Sequence, residues 1–263
     1  MSSEVQRHAF DDHRVVVRPG GSAETLKYCV EQWLSIGELA IAERGVFCVA
    51  LSGGSTPKAI FQLLSSEEYR GRLDWARVLF FWGDERAVPL DHGDSNYRMA
   101  MTAGLGTLPG VETGVNVFPM ETVGALAEEP AEHGRLAAER YQALLLEKVP
   151  GGRGQLDLVM LGVGEDGHTA SLFPHTKALR PADSSALVLF NEVPQLSTWR
   201  MTLTYEAINR ARHAIFYVLG SAKAPIIEKL FSKGPVDLDQ FPSQAVGTPA
   251  NPAQWMLDFD AKL

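Results

Sequence analysis

An α/β fold, with a mostly parallel sheet between two layers of helices, is predicted by three features of the sequence. Four apolar runs, residues 46–52, 78–82, 156–162 and 214–220, are short and continuous rather than alternating, as strands buried on both faces are. Each ends in a loop that bears glycine. Amphipathic helical patterns fill the intervals, and strands alternating with helices build parallel sheets.

Taken along the chain, residues 14–17 predict a short strand. Leu26, Val30, Trp33, Ile36 and Ala40 then keep one helical face, with Ser22 as cap and Gly45 as stop. The first strong strand leads into Ser52-Gly53-Gly54-Ser55-Thr56-Pro57-Lys58 and a helix carrying Ile60, Phe61, Leu63 and Leu64. Pro57 suits the first helical turn, where its missing N–H is not needed. Residues 90–129 are richer in Gly, Pro and polar side chains. They predict an elaborated loop with one helix near 96–103 and a weak strand at 115–120. Leu136, Tyr141, Leu144, Leu145 and Val149 mark a helix that stops before Pro150. Weaker strands are expected at 186–193 and 199–204, and a short helix at 222–231. Residues 234–252, with Pro235, Pro242, Pro249 and Pro252, predict extended loop before a last strand at 255–258. No repeat divides the chain, so one domain over residues 1–263 is expected.

Composition narrows the function. The 263 residues are 45% hydrophobic and 21% charged, enough for a substantial core. A net charge of −8 offers no basic field for nucleic acid, so an anionic ligand must meet local cations. No apolar run approaches the length that spans a membrane, and the first residues, Met1-Ser2-Ser3-Glu4-Val5-Gln6-Arg7, lack the apolar core of a leader. Cys29 and Cys48 lie in apolar segments without partner spacing, which predicts two buried thiols in a reducing cytoplasm.

The chemistry concentrates at strand ends, where ligands bind in open parallel sheets. Gly53, Gly54, Ser55 and Thr56 leave backbone donors free at a helix start, an arrangement that attracts phosphate and exceeds what a plain turn requires. The second strand ends in Trp82-Gly83-Asp84-Glu85-Arg86, either a solvated loop or a site with balanced charges. The fourth ends in Gly220-Ser221-Ala222-Lys223, placing Lys223 in a first helical turn, where a cation opposes the dipole unless an anion joins it. Arg200, just before a strand, is either a bidentate phosphate partner or an exposed arginine. The third end, Gly162-Val163-Gly164-Glu165-Asp166-Gly167-His168, matches the dinucleotide pattern G-x-G-x-x-G. Two acidic side chains facing a pyrophosphate, and Pro174 soon after, argue against that use. Asp166 and His168 instead suit a general base mounted on a rigid turn, the carboxylate orienting the imidazole. His8, His13, His92, His133, His175 and His213 lie in ordinary polar surroundings.

Together these stretches, with Asp94-Ser95-Asn96-Tyr97, Thr169-Ala170-Ser171-Leu172-Phe173-Pro174 and Arg200-Met201-Thr202, resemble the glucosamine-6-phosphate isomerase/6-phosphogluconolactonase family, and within it the lactonases. The resemblance is co-linear from about residue 50 to 224. It implies a Rossmann-like α/β/α fold and hydrolysis of 6-phospho-D-glucono-1,5-lactone in the oxidative pentose phosphate pathway. It further implies no metal or cofactor. His168 is then expected to activate water and Asp166 to orient it. Asp84 and Arg86 are expected to hold hydroxyls or the oxyanion. Gly53, Gly54, Ser55, Thr56, Asn96, Arg200 and Lys223 would bind the phosphorylated sugar. Family deaminases carry Asn-Glu after the Asp-Gly-His turn; Thr169-Ala170 stands here, which favours the lactonases. The competing expectations are such a deaminase or isomerase, and a non-catalytic sugar-phosphate sensor. A monomer or small homo-oligomer is expected.

Overall fold

The structure, a computed structural model, describes residues 5–122, 129–232 and 234–263. The first four residues of the polar N-terminus and residues 123–128 of the long loop lie outside the described residues. The strands are β1 (Gln6–Ala9), β2 (Arg14–Arg18), β3 (Phe47–Leu51), β4 (Val78–Trp82), β5 (Asp84–Arg86), β6 (Leu158–Leu161), β7 (Val188–Val193), β8 (Thr198–Leu203), β9 (His213–Val218) and β10 (Ala253–Leu257). The helices are α1 (Ser22–Arg44), α2 (Ser55–Leu64), α3 (Asn96–Thr102), α4 (Pro130–Lys148), α5 (Tyr205–Arg210) and α6 (Ala224–Leu230).

Seven strands form one sheet in the order β1-β2-β10-β9-β6-β3-β4. All its pairs are parallel except β1 with β2. The four strong apolar runs are the contiguous strands β9-β6-β3-β4, with β4 at the edge, and β3 and β6 are buried at every residue. Aromatic side chains fill the layers around it. Trp33 of α1 meets Phe47 edge-on and stacks on Trp75, and Phe216 of β9 stacks on Trp255 of β10 at 3.7 Å. Cys29 and Cys48 are free and buried; burial, with Asp157 nearby, pushes the Cys48 thiol up to about 12. At this N-terminal end of the strands the Asp157 carboxylate accepts from Cys48 N and meets Arg44 and Arg212, tying β3 to the approach to β6.

Strand order fixes where a ligand can bind. From β3 the chain steps outward to β4; from β6 it steps the other way, through β9 to β10. The direction reverses between β3 and β6, and loops leaving two such strands diverge and open a crevice at their carboxyl ends.

Several sequence expectations need correction. Ser22 is the first residue of α1 and caps nothing; Gly21 holds the cap position and the Ser22 hydroxyl donates to Asp258. Gly45 does stop α1, with φ 83°. Residues 115–120 form no strand; Val117 makes only isolated bridges, to Phe80 at the β4 edge and to Thr113, because the turn at Glu112 takes the backbone N–H groups of Val115, Asn116 and Val117. Residues 6–9, polar in sequence, pair with β2 as an exposed edge strand. The weak strands at 186–193 and 199–204 do not join the main sheet. They are β7 and β8, and with β5 they form a separate antiparallel sheet, order β5-β8-β7. Gly83 is the joint: its N–H donates to Leu51 O and its carbonyl accepts from Leu203 N, both at 2.8 Å.

Helix α4 packs on this small sheet through Gly134. A Cβ there would lie 1.9 Å from the Phe190 ring. Glycine to alanine inside a helix ordinarily stabilises by up to ~1 kcal/mol. Gly134→Ala is instead expected to destabilise by about 1–3 kcal/mol through overpacking. The urea midpoint checks it; an unchanged or higher midpoint contradicts the contact.

Candidate active site

The crevice between β3 and β6 is a cleft of about 240 Å³. Ser52 to Pro57 form one wall, Gly162 to Gly164 with His168 and Ala170 another, and Asp84, Arg86, Asn96 and Lys223 close it. Residues predicted from four strand ends and one helix start thus meet in one place. Two of the predicted set do not line the cleft: Arg200, and Asp166, which reaches it through His168.

The loop after β3 enters α2 through Gly54, whose φ of 101° favours glycine, and no side chain caps the helix. Ser55 and Thr56 precede the first intrahelical acceptor bond, Lys58 N to Gly54 O at 3.1 Å. Their N–H groups therefore remain available to an anion. Gly53 has a different reason: a Cβ there would lie 2.1 Å from Asn96 Oδ1. The Asn96 amide rests on the glycine and donates to the Asp84 carbonyl at 2.9 Å and to Asp84 Oδ1 at 3.3 Å.

Residues two apart on a strand share a face. In β5, Asp84 and Arg86 face one way and Glu85 the other. Asp84 is nearly buried, and its Oδ2 accepts from the Ser171 hydroxyl at 2.7 Å. Ser171 is fixed in turn: its N–H donates to Thr202 Oγ1 and its carbonyl accepts from Asn191 Nδ2. Arg86 Nη1 donates to the Asp94 carbonyl at 2.5 Å. Arg200 lies within β8, not before it, and pairs in register with Arg86. It stands beside the arginine that lines the cleft, on the same face of the small sheet, and burial and the Arg86 charge hold its pKa below the usual arginine range.

Glu85, fully buried, turns its carboxylate into the start of α3. It accepts from Arg86 N, Ser95 Oγ, Asn96 N and Tyr97 N at 2.8 to 3.0 Å. Burial raises its pKa; those N–H groups oppose the rise. Sequence reasoning passed over Glu85. The period-two alternation of Asp84, Glu85 and Arg86 was the signal available.

The turn after β6 closes with Gly164 N to His168 O at 2.9 Å and Gly167 N to Gly164 O at 3.0 Å. Asp166 Oδ1 lies 2.6 Å from His168 Nδ1 and accepts from His168 N at 3.1 Å. Among the described residues Nε2 has no hydrogen-bond partner. Partial burial raises the Asp166 pKa, but the bond and charge of His168 outweigh it and hold the carboxyl below its ordinary value. Asp166 therefore stays ionised at neutral pH, the state that fixes the proton of a neutral imidazole on Nδ1 and leaves Nε2 basic.

Lys223 sits in a short 3-10 turn ahead of α6, not inside an α-helical first turn. Its Nζ donates to the Val163 carbonyl at 2.8 Å, which carries the charge across to the β6 loop and away from its own helix. Among the described cleft-lining residues Asp84 is the one carboxylate. Among the described residues, Asp11, Asp12 and His13 form a cluster close enough to hold a metal; it lies in the β1–β2 turn, and Asp11 is already paired with Arg14. No described helix is long and apolar enough to cross a membrane.

Comparison with known proteins agrees with this geometry. Residues 21–255 match the family model described as glucosamine-6-phosphate isomerases/6-phosphogluconolactonase. The chain is 43% identical over 235 residues to a 6-phosphogluconolactonase of Chlamydia muridarum, covering 89% of this chain and 84% of that one. It is 40% identical over 222 residues to that of Synechocystis, covering 84% and 86%. The solved 6-phosphogluconolactonase of Trypanosoma brucei superposes with a TM-score of 0.77 at 28% identity, over 94% of this chain and 96% of that one. With its mostly parallel Rossmann-like sheet, its switch-point cleft and these relatives, the chain belongs to the glucosamine-6-phosphate isomerase/6-phosphogluconolactonase family.

Proposed function

We propose that this chain hydrolyses 6-phospho-D-glucono-1,5-lactone to 6-phospho-D-gluconate, with His168 as general base. The observation that carries the reading is the Asp166–His168 pair, whose free Nε2 belongs to a residue lining the same cleft as the Gly53–Thr56 loop. The phosphate rests on the N–H groups of Ser55 and Thr56 at the start of α2 and meets the charge of Lys223. Arg200 adds to the positive field beside Arg86. Water gives a proton to His168 Nε2 as its oxygen adds to the lactone carbonyl carbon. Arg86 stabilises the oxyanion. When the intermediate collapses, the bond from that carbon to the ring oxygen breaks, and the imidazolium returns its proton to the departing oxygen. Asp84, held by Ser171 and Asn96, accepts from sugar hydroxyls. A lactone is an activated ester, so neither a covalent nucleophile nor a metal is needed for this step.

The deaminase reading lacks its acid: Thr169 and Ala170 follow His168, and Asp84 is already engaged by Ser171 and Asn96. The sensor reading leaves a built base without a use. Product analysis tests the choice. Phosphogluconate is expected to form faster than spontaneous hydrolysis allows, and glucosamine 6-phosphate to release no ammonia; the reverse would contradict the proposal. Arg200→Ala, which removes a positive charge beside the cleft and no contact within it, is expected to raise KM for the phosphorylated lactone about two- to fivefold. The unphosphorylated lactone should change little, and an equal loss for both would remove Arg200 from phosphate binding. The buried free thiols suit the reducing cytoplasm in which such an enzyme would act.

A further inference from the structure

His168 is held on more sides than the Asp166 bond. The ring of Phe173 lies against the imidazole, centroids 4.0 Å apart at an interplanar angle of 24°. At the Nδ1–Cε1 edge stands Gly164, where a Cβ would come within 2.1 Å of Nδ1. Glycine, carboxylate and phenyl ring leave the Nε2 edge as the open one.

Phe173 is itself fixed by the turn that returns it to His168. Thr169 pairs with Leu172, and Thr169 Oγ1 donates to Gly162 O at 2.9 Å. Ala170 takes φ 47°, a conformation that non-glycine residues adopt only where surroundings impose it. Ser171 is bonded at its N–H, its carbonyl and its hydroxyl, the last to Asp84. Phe173 is 4% exposed, so its ring has little freedom to swing away. One turn therefore delivers Ser171 to Asp84 and Phe173 to His168.

A single hydrogen bond at Nδ1 fixes that atom and leaves the ring free to tilt about it. Near-parallel stacking removes the tilt and sets the direction of Nε2. We propose that Phe173 is a positioning residue for His168, holding the imidazole in the plane from which Nε2 reaches the attacking water. This rests on the reading of His168 as the base. Phe173 is not among the residues that line the cleft, so its loss should act on the chemical step and not on substrate binding.

The test compares Phe173→Leu, Phe173→Tyr and His168→Ala with the unaltered protein, each shown to be folded by circular dichroism. Phe173→Leu is expected to lower kcat by about 10-fold or more, within the range a slightly misplaced group costs, with KM nearly unchanged. Phe173→Tyr, which keeps the ring face, should recover most of kcat. The His168 ring-proton NMR signals should show the Phe173 ring current in the unaltered and Tyr proteins and lose it in the Leu protein. Phe173→Met carries the same test should the Leu protein not fold. Full turnover in Phe173→Leu beside a dead His168→Ala would overturn the positioning role alone. Full turnover in His168→Ala would overturn the base, and the positioning role with it. A loss in Phe173→Leu that falls on KM, or that Phe173→Tyr does not recover, would also overturn it.

Discussion

His168→Ala is expected to lose about 10²–10⁴-fold in kcat, the range for removal of a general base, with KM nearly unchanged. The expectation follows from geometry. Nδ1 is committed to Asp166 at 2.6 Å, so Nε2 is the nitrogen that can take a proton, and the side chain lines the cleft without holding its walls together. The phosphate loop, Arg86 and Lys223 are reached from other strands and should keep their places. Steady-state kinetics against the spontaneous background separates the two constants. A kcat within twofold of the unaltered enzyme, against the magnitude expected of a base, would remove His168 from the reaction.

Glu85→Ala should have the largest effect on stability. The substitution strands Arg86 N, Asn96 N, Tyr97 N and the Ser95 hydroxyl around a buried space. A buried donor without a partner costs about 1–3 kcal/mol, so a total above about 3 kcal/mol is expected. Activity should fall too, because Asn96 loses the anchor that lays its amide between Gly53 and Asp84. Chemical denaturation measures the first effect, and a loss under about 1 kcal/mol would contradict the account of these bonds. The pH dependence has a definite sign. Burial raises the Glu85 pKa above its unfolded value, so the native state holds this proton more tightly. Its contribution to stability is greatest below the unfolded pKa and declines as pH rises through the folded one. Glu85→Gln should lack that decline. Asp166 runs oppositely: its lowered pKa stabilises above the unfolded value, and this is lost as pH falls through the folded one.

Much of the site was legible because the fold reduces to strand ends. Continuous apolar runs located β3, β4, β6 and β9, and parallel pairing obliges their C-terminal loops to meet. The Asp166-Gly167-His168 turn is local, and its hydrogen bond follows from a spacing of two residues. What sequence did not yield depends on partners far along the chain. The separate β5-β8-β7 sheet arises because Gly83 lets the backbone leave β4 and pair with Leu203, a contact 120 residues away. That departure placed Arg200 beside Arg86 and outside the cleft lining. Ser22 looked like a cap, yet its hydroxyl serves Asp258 at the other end of the chain. Glu85 looked like one charge among three, because three of its four donors come from the start of α3 and only one from its neighbour Arg86.

The central claim, that His168 activates water against a phosphorylated lactone, is tested most directly by proton release. Freshly generated 6-phosphogluconolactone is mixed with the unaltered protein and with His168→Ala, and acid production is followed against the spontaneous rate. The account predicts rapid release with the unaltered protein and near-background release with the variant. Release at the background rate with the unaltered protein, or equal release with both, would contradict it.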